Sequence, residues 1–308
     1  MFEEIKVMKN SRILLGLIFL VIMVSGCLEQ SSQPYYLKEY CVDVPELAGA
    51  WDLLENKEDS QDSTATWFIE AENLKVYEAN ATISYLNIVF FRVDNDLFAD
   101  ITAGELKNNS VGPHWLLHVV SAHTLAKVVM SQDIVHLFPL NEEWLNQALE
   151  NDSAQLRHLK AANSARLFTA DSEEWIDFLK KHKDEEGFFD LENFYMLKKN
   201  PTKEQFFQFY QQWQDLQNSS DLRLSSRADD YILSEPYQAM IGLGETIVPL
   251  LIAQIREGEQ TFWTEAQFFL WHAVSFLVGV DLSDKRDFLS EQGMAHKYIA
   301  WWDEKMKE

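Results

Sequence analysis

The sequence predicts an α+β chain in which a β-rich region comes first and an all-helical region follows. Between about residues 45 and 199, short runs rich in β-branched and aromatic residues alternate with polar clusters. After Asn200-Pro201 the apolar residues recur every three or four positions, the spacing of helices with one buried face. The 308 residues are 47% hydrophobic and 13% aromatic, enough to fill two packed cores.

The chain opens on a segment unlike the rest. Lys9 and Arg12 precede an apolar core from Ile13 to Met23, the order of a signal peptide. As a helix, Ile13 to Ser25 would reach roughly 20 Å, short of the roughly 30 Å of a bilayer's hydrocarbon core. Glu3 and Glu4 before the basic residues are atypical of such a segment, so Met8 competes with Met1 as the start. Removing residues 1–26 takes away three positive charges against two negative ones and shifts the net charge from −23 to −24. Such a surface repels phosphate backbones and anionic lipid, which excludes nucleic acid as an expected partner.

Val24-Ser25-Gly26-Cys27 closes the apolar core with small residues followed by cysteine. In residue type, order and position this resembles the lipobox of bacterial membrane lipoproteins. The resemblance implies cleavage between Gly26 and Cys27, a diacylglycerol on the Cys27 thiol, and acylation of the freed amine. Two or more acyl chains anchor a protein stably where one does not. An ordinary secretory cleavage or an uncleaved anchor are the alternatives. Leu28, where aspartate would mark inner-membrane retention under the enteric sorting rule, points to the outer membrane and a body facing the periplasm. With Cys27 modified, Cys41 has no partner for a disulfide.

The expected organisation is a signal peptide at 1–26, a lipidated tether at 27–44, a β-rich domain at 45–199 and a helical domain at 200–308. Leu28 to Tyr36 (LEQSSQPYY) is polar, holds a proline and lacks periodicity, as a tether would. GAWDLL, TATWFIEA, ATISYLNIVFFRV, the run around Val119 to Met130, DIVHLFPL, ARLFT and NFYML give seven or eight strands, with Asp94-Asn95-Asp96 as a turn. Two helices interrupt them. NEEWLNQALEN starts at a capping Asn141, and DSEEWIDFLKKHK opens on an Asp171-x-x-Glu174 capping box and ends on lysines that suit its dipole.

In the helical region, Phe206, Phe209, Tyr210, Trp213 and Leu216 form one stripe. Ser234 caps SEPYQAMIGLG, and TIVPLLIAQIREG places Val248, Leu251, Ile252 and Ile255 on one face, so the two should form a helical hairpin. FWTEAQFFLWHAVSFLVG is apolar nearly all round and should be the central buried helix, although Glu265, Gln267 and His272 argue against a membrane span. Ala295, Tyr298, Ile299, Trp302 and Met306 give the last helix its face.

Two further resemblances attach to these segments. Gly49-x-Trp51 at the head of the strand series is similar to the G-x-W opening of lipocalin-like barrels, which implies an antiparallel β domain with the tryptophan plugging one end. YQAMIGLGETIVPLLIAQI resembles a HEAT-type helical pair, sharing its glycine turn and inner proline.

Chemistry is harder to place. His114, His118 and His123 invite a zinc site. As a strand, however, His114 lies about 13 Å from His118, and as a helix His123 sits about 140° round from His118, so no metal or cofactor is expected there. G-x-S-x-G, S-x-x-K, H-E-x-x-H and phosphate-loop motifs are missing. Asp94-x-Asp96 and Asp229-Asp230 do not continue into a calcium loop. The aromatic excess is the remaining feature. Trp51, Trp67, Tyr85, Phe91 and Trp115 could line a pocket for an apolar ligand, or could simply fill the β core. The reading is a lipid-anchored envelope protein, without catalytic residues, that binds a partner protein or a small apolar molecule. The alternative is an envelope hydrolase whose site gathers scattered carboxylates and histidines.

Overall fold

Eight antiparallel strands close into a lipocalin-like barrel, and helices cover its outer wall on two sides. The computed structural model describes residues 30–54, 63–104, 122–151, 155–160, 166–218, 228–261, 263, 266–283 and 290–307. The lipobox, His114, Trp115 and His118 lie outside these residues.

The barrel strands are β2 (Gly49–Leu54), β3 (Ser63–Glu70), β4 (Asn73–Glu78), β5 (Ile83–Val93), β6 (Asp96–Ala103), β7 (His123–Ser131), β8 (Ile134–Pro139) and β11 (Tyr195–Lys199). Each of β2 to β8 pairs with the next, and β11 closes the ring between β8 and β2. Three two-residue turns connect neighbours, and each holds its first residue at positive φ: Ala71 at 51°, Asp94 at 54° and Gln132 at 51°. Such a left-handed turn suits the strand twist. Asp94 and Asn95 form the expected turn, while Asp96 already begins β6.

Alternation along each strand sends every second side chain into the lumen. Trp51, Leu53, Trp67, Ile69, Leu86, Ile88, Phe90, Ile101, Val128 and Leu197 meet there in one buried cluster. Trp51 is paired in register with Trp67 and sits over the turn Pro45–Leu47, donating from Nε1 to the Leu47 carbonyl at 2.9 Å. Lys199 lies 5.5 Å above its ring. The tryptophan therefore plugs one end, as the G-x-W resemblance implies.

The outward-facing positions are buried too, against two different layers. On one side, Phe91, Val93, Phe98 and Leu125 pack on the insertion between β8 and β11. That insertion holds α1 (Glu142–Glu150), β9 (His158–Lys160), β10 (Arg166–Phe168) and α2 (Ser172–His182). Both helix starts are capped as expected: Asn141 accepts from the amides of Glu143 and Trp144, and both halves of the Asp171/Glu174 box are present. Lys183 locks α2 to the β5–β6 turn through Asp96 at 2.6 Å, and Lys127 reaches the same carboxylate at 2.8 Å. The chain's own lysines thus occupy the acidic pair Asp94-x-Asp96.

From residue 30 onward the expected tether is docked. Gln30–Ser31 forms β1, antiparallel to the start of β7 and parallel to β10. It takes over the β7 edge where β8 ends at Pro139, a residue with no N–H to continue the ladder. Ser31 and Tyr35 are fully buried, and Tyr35 packs on Trp175 with ring centroids 4.5 Å apart. A polar, aperiodic sequence hid this because two residues of pairing and one aromatic anchor leave no period to detect.

On the other side, Ala50, Tyr77, Ala81 and Ile83 pack against the C-terminal helices. These are α3 (Pro201–Gln217), α4 (Ala228–Ile232), α5 (Glu235–Ile241), α6 (Val248–Gln260), α7 (Leu270–Val278) and α8 (Glu291–Lys305). Four expectations need correction here. The stripe of α3 also includes Phe207, fully in the core where it meets Phe68 and Tyr77 on the barrel wall, while Phe209 packs half-buried against the same core. The axes of α5 and of the helix ending at Gln260 turn through 101°, so α5 packs on α3 and no hairpin forms. The central helix is α6, buried from Leu250 to Ile255, whereas α7 leaves Phe276 72% exposed. At Ser234 the hydroxyl donates back to the Tyr231 carbonyl and makes no cap. Among the described residues no single helix is long and apolar enough to cross a membrane.

Since Trp51 fills the closed end of the lumen, Trp51→Ala should cost about 3–5 kcal/mol of stability, read from urea unfolding. A loss below 1 kcal/mol would mean the lumen does not depend on that plug.

Candidate functional site

A cleft of about 580 Å³ lies between the barrel's outer wall and the helical layer. Side chains of β3, β4, α3 and α6 line it. Its aromatic side chains meet between α3 and the barrel wall: Phe207 lies 4.2 Å from Phe68 and 5.0 Å from Tyr77, centroid to centroid. Glutamines line it as well. Gln208 and Gln211 enter from α3, Gln254 from α6, and Gln267 from the turn Ala266–Phe269.

Two tyrosines tie the floor to α6. Gln254 Nε2 donates to the Tyr77 hydroxyl at 3.2 Å, and the Tyr85 hydroxyl donates to Glu257 through a short hydrogen bond. Burial, then the nearby Glu257 charge, pushes both phenols far above their ordinary range, so they stay protonated. Gly258 sets the width of one wall. A Cβ there would stand 2.8 Å from Gln267 Cβ and 2.9 Å from the Trp263 ring. A glycine within a helix costs stability, and the close approach of the 266–269 turn is what requires it here.

The five aromatic pocket candidates do not share one place. Trp51 and Trp67 are in the lumen, Tyr85 faces α6, Phe91 faces the insertion, and Trp115 lies outside the described residues. The cleft aromatic Phe68 was visible as part of the same excess, but which face it would take was not. The glutamines carried no signal beyond their number.

Histidines and carboxylates pair off separately. His123 Nδ1 sits 2.8 and 3.0 Å from the oxygens of Asp100, which also accepts from the Tyr35 amide at 3.2 Å. This pair lies beside the docked N-terminal segment, Asp100 buried and His123 half-buried, and neither residue borders the cleft. Burial pushes the Asp100 carboxyl above the ordinary carboxylate range, and the hydrogen bonds from His123 and Tyr35 offset it only in part. Elsewhere His182 meets Glu185, His272 meets Glu291 and His296 meets Glu259. Among the described residues no group of three potential ligands could hold a metal ion. A second concavity of about 460 Å³ borders Cys41, Asp43 and Glu72. Burial and the Glu72 charge raise the Cys41 thiol, the opposite of an activated nucleophile.

Comparison with known protein families, with characterised proteins and with solved structures finds no match to this chain.

A carboxyl whose folded value is raised stabilises the fold fully below its unfolded value and loses that contribution as pH climbs through the folded one. Asp100→Asn should therefore gain stability relative to the wild type as pH rises from below 3.8, the unperturbed value. Parallel stability curves for the two proteins would contradict the shift. Gly258→Ala should displace Gln267 and lower stability by about 1–3 kcal/mol, measured by thermal unfolding.

Proposed function

We propose that this chain is a lipid-anchored envelope lipoprotein that binds a ligand or partner without catalysing a reaction, and that the barrel–helix cleft is its binding site. The cleft carries the reading. Its volume falls in the range of about 300–1,000 Å³ typical of small-molecule sites, and it combines an aromatic floor with converging polar groups. The lumen, the usual site in a barrel of this shape, is packed by Trp51, Trp67 and their neighbours. That moves binding from the inside of the barrel to its wall. Among the described residues the histidine–carboxylate pairs are dispersed and none borders the cleft, which favours binding over hydrolysis.

The anchor rests on the lipobox and fits the docked N-terminus. Three peptide links separate Cys27 from Gln30, at most about 11 Å of extended chain. A lipid on the Cys27 sulfur would hold the β1 end of the body directly against the bilayer, with the outer membrane as the destination that Leu28 implies. No long leash would let the body turn freely.

Intact mass of the purified protein tests the anchor. The expected N-terminus is an acylated Cys27, and alkyne fatty-acid labelling should vanish in Cys27→Ala with release of the protein from membranes. A mature chain beginning at another residue, or lacking added acyl mass, would overturn it.

A further inference from the structure

We infer that the cleft takes a neutral polyhydroxylated ligand, an oligosaccharide, a proposal that rests on the cleft being the binding site. The first ground is the face that α3 turns outward. Between Glu204 and Asp215 this helix carries no charge, and its exposed or half-buried polar positions are all glutamine: 205, 208, 211, 212 and 214. In a chain that is 24% charged, a solvent face would ordinarily use Glu and Lys, which are equally good helix formers.

The second ground is the opposite wall. Gln254 and Gln267 are only 3% and 4% exposed, yet they border the same cleft. Burying an amide costs free energy that an apolar residue would not; Gln254 meets part of it through the Tyr77 hydroxyl, and both amides still front the cleft. A primary amide offers donors and an acceptor side by side, which is the complement of a sugar hydroxyl that both donates and accepts. The third ground is the floor. The half-buried Phe68 ring borders the cleft, and an aromatic face is the electron-rich surface on which the polarised C–H groups of a pyranose rest.

Charge disfavours an anionic ligand. An anionic ligand would face the acidic body and find only Lys75 among the cleft's ionic groups, against Glu70 and Glu257. A cationic ligand would meet Glu70 and Glu257 and is the competing class, which the parallel probes below test. Amides dominate what remains.

The test uses the full chain in a detergent without a sugar headgroup. It is screened on an array of neutral di- to tetrasaccharides, and the strongest binder is then titrated by calorimetry, with spermine and a lysine-rich peptide as parallel probes. Binding should weaken at least tenfold in Phe68→Ala and in the double variant Gln208→Glu/Gln211→Glu. Both substitutions of that double variant lie on an exposed helix face, and an unchanged melting temperature confirms that it folds. A blank array overturns the saccharide assignment. Spermine or peptide binding that is lost in Phe68→Ala, without saccharide binding, keeps the cleft as a site but overturns the ligand class. Saccharide binding unchanged in every variant removes the cleft itself as the site.

Discussion

The barrel wall is buried on both faces, and the rest of the structure depends on that constraint. A strand with one wet face needs apolar residues at every second position, whereas β5 must supply them at nearly all. Phe90 points into the lumen and its neighbour Phe91 into the insertion core, so one dipeptide serves two cores. Across the barrel, Tyr77 and Ile83 do the same for the helical layer, while Val76 and Leu86 face inward. The helical region has no complete core without this wall. Its aromatic residues close over barrel side chains, and the cleft lies between the two layers.

Polar contacts make the attachment specific in register. Lys203 near the start of α3 reaches Asp52 at 2.6 Å and Thr66 at 2.8 Å, both on the outer face of the barrel. Asn200 caps α3 and also donates to Asp52 at 2.7 Å. Arg256 on α6 joins the Asn80 carbonyl at 2.7 Å to Asp303 on α8. These contacts fix how far along the wall each helix sits, which hydrophobic burial alone does not. The position of the cleft follows from them, since a slide of α3 would take Gln208 and Gln211 away from Gln254.

Much of this architecture could be read along the chain, and the failures have physical causes. Caps at Asn141 and Asp171 are local signals and survive in the fold. The G-x-W opening also held, because its tryptophan needs only the adjacent turn. β4 and β6 were missed. β4 is six residues long with Lys75 and Glu78 inside it, and β6 places Asp100 at a buried position, so neither shows a clean apolar period. Phe207 and Phe209 both join the core, and only the barrel wall makes Phe207 the more deeply buried of the two. The cleft was invisible for the same reason. It is a space between two elements far apart in sequence, lined by residues whose type carries meaning only once they face each other.

Whether the barrel and the helical layer are one physical unit can be measured directly by native-state hydrogen exchange in increasing urea, resolved by peptide mass spectrometry. Shared burial predicts that amides of β3 and β4 and those of α3 and α6 lose protection together, over one range of denaturant. If α3 and α6 exchange at clearly lower urea while the strands stay protected, the wall is not part of the helical core, and the cleft lacks the rigid frame assigned to it.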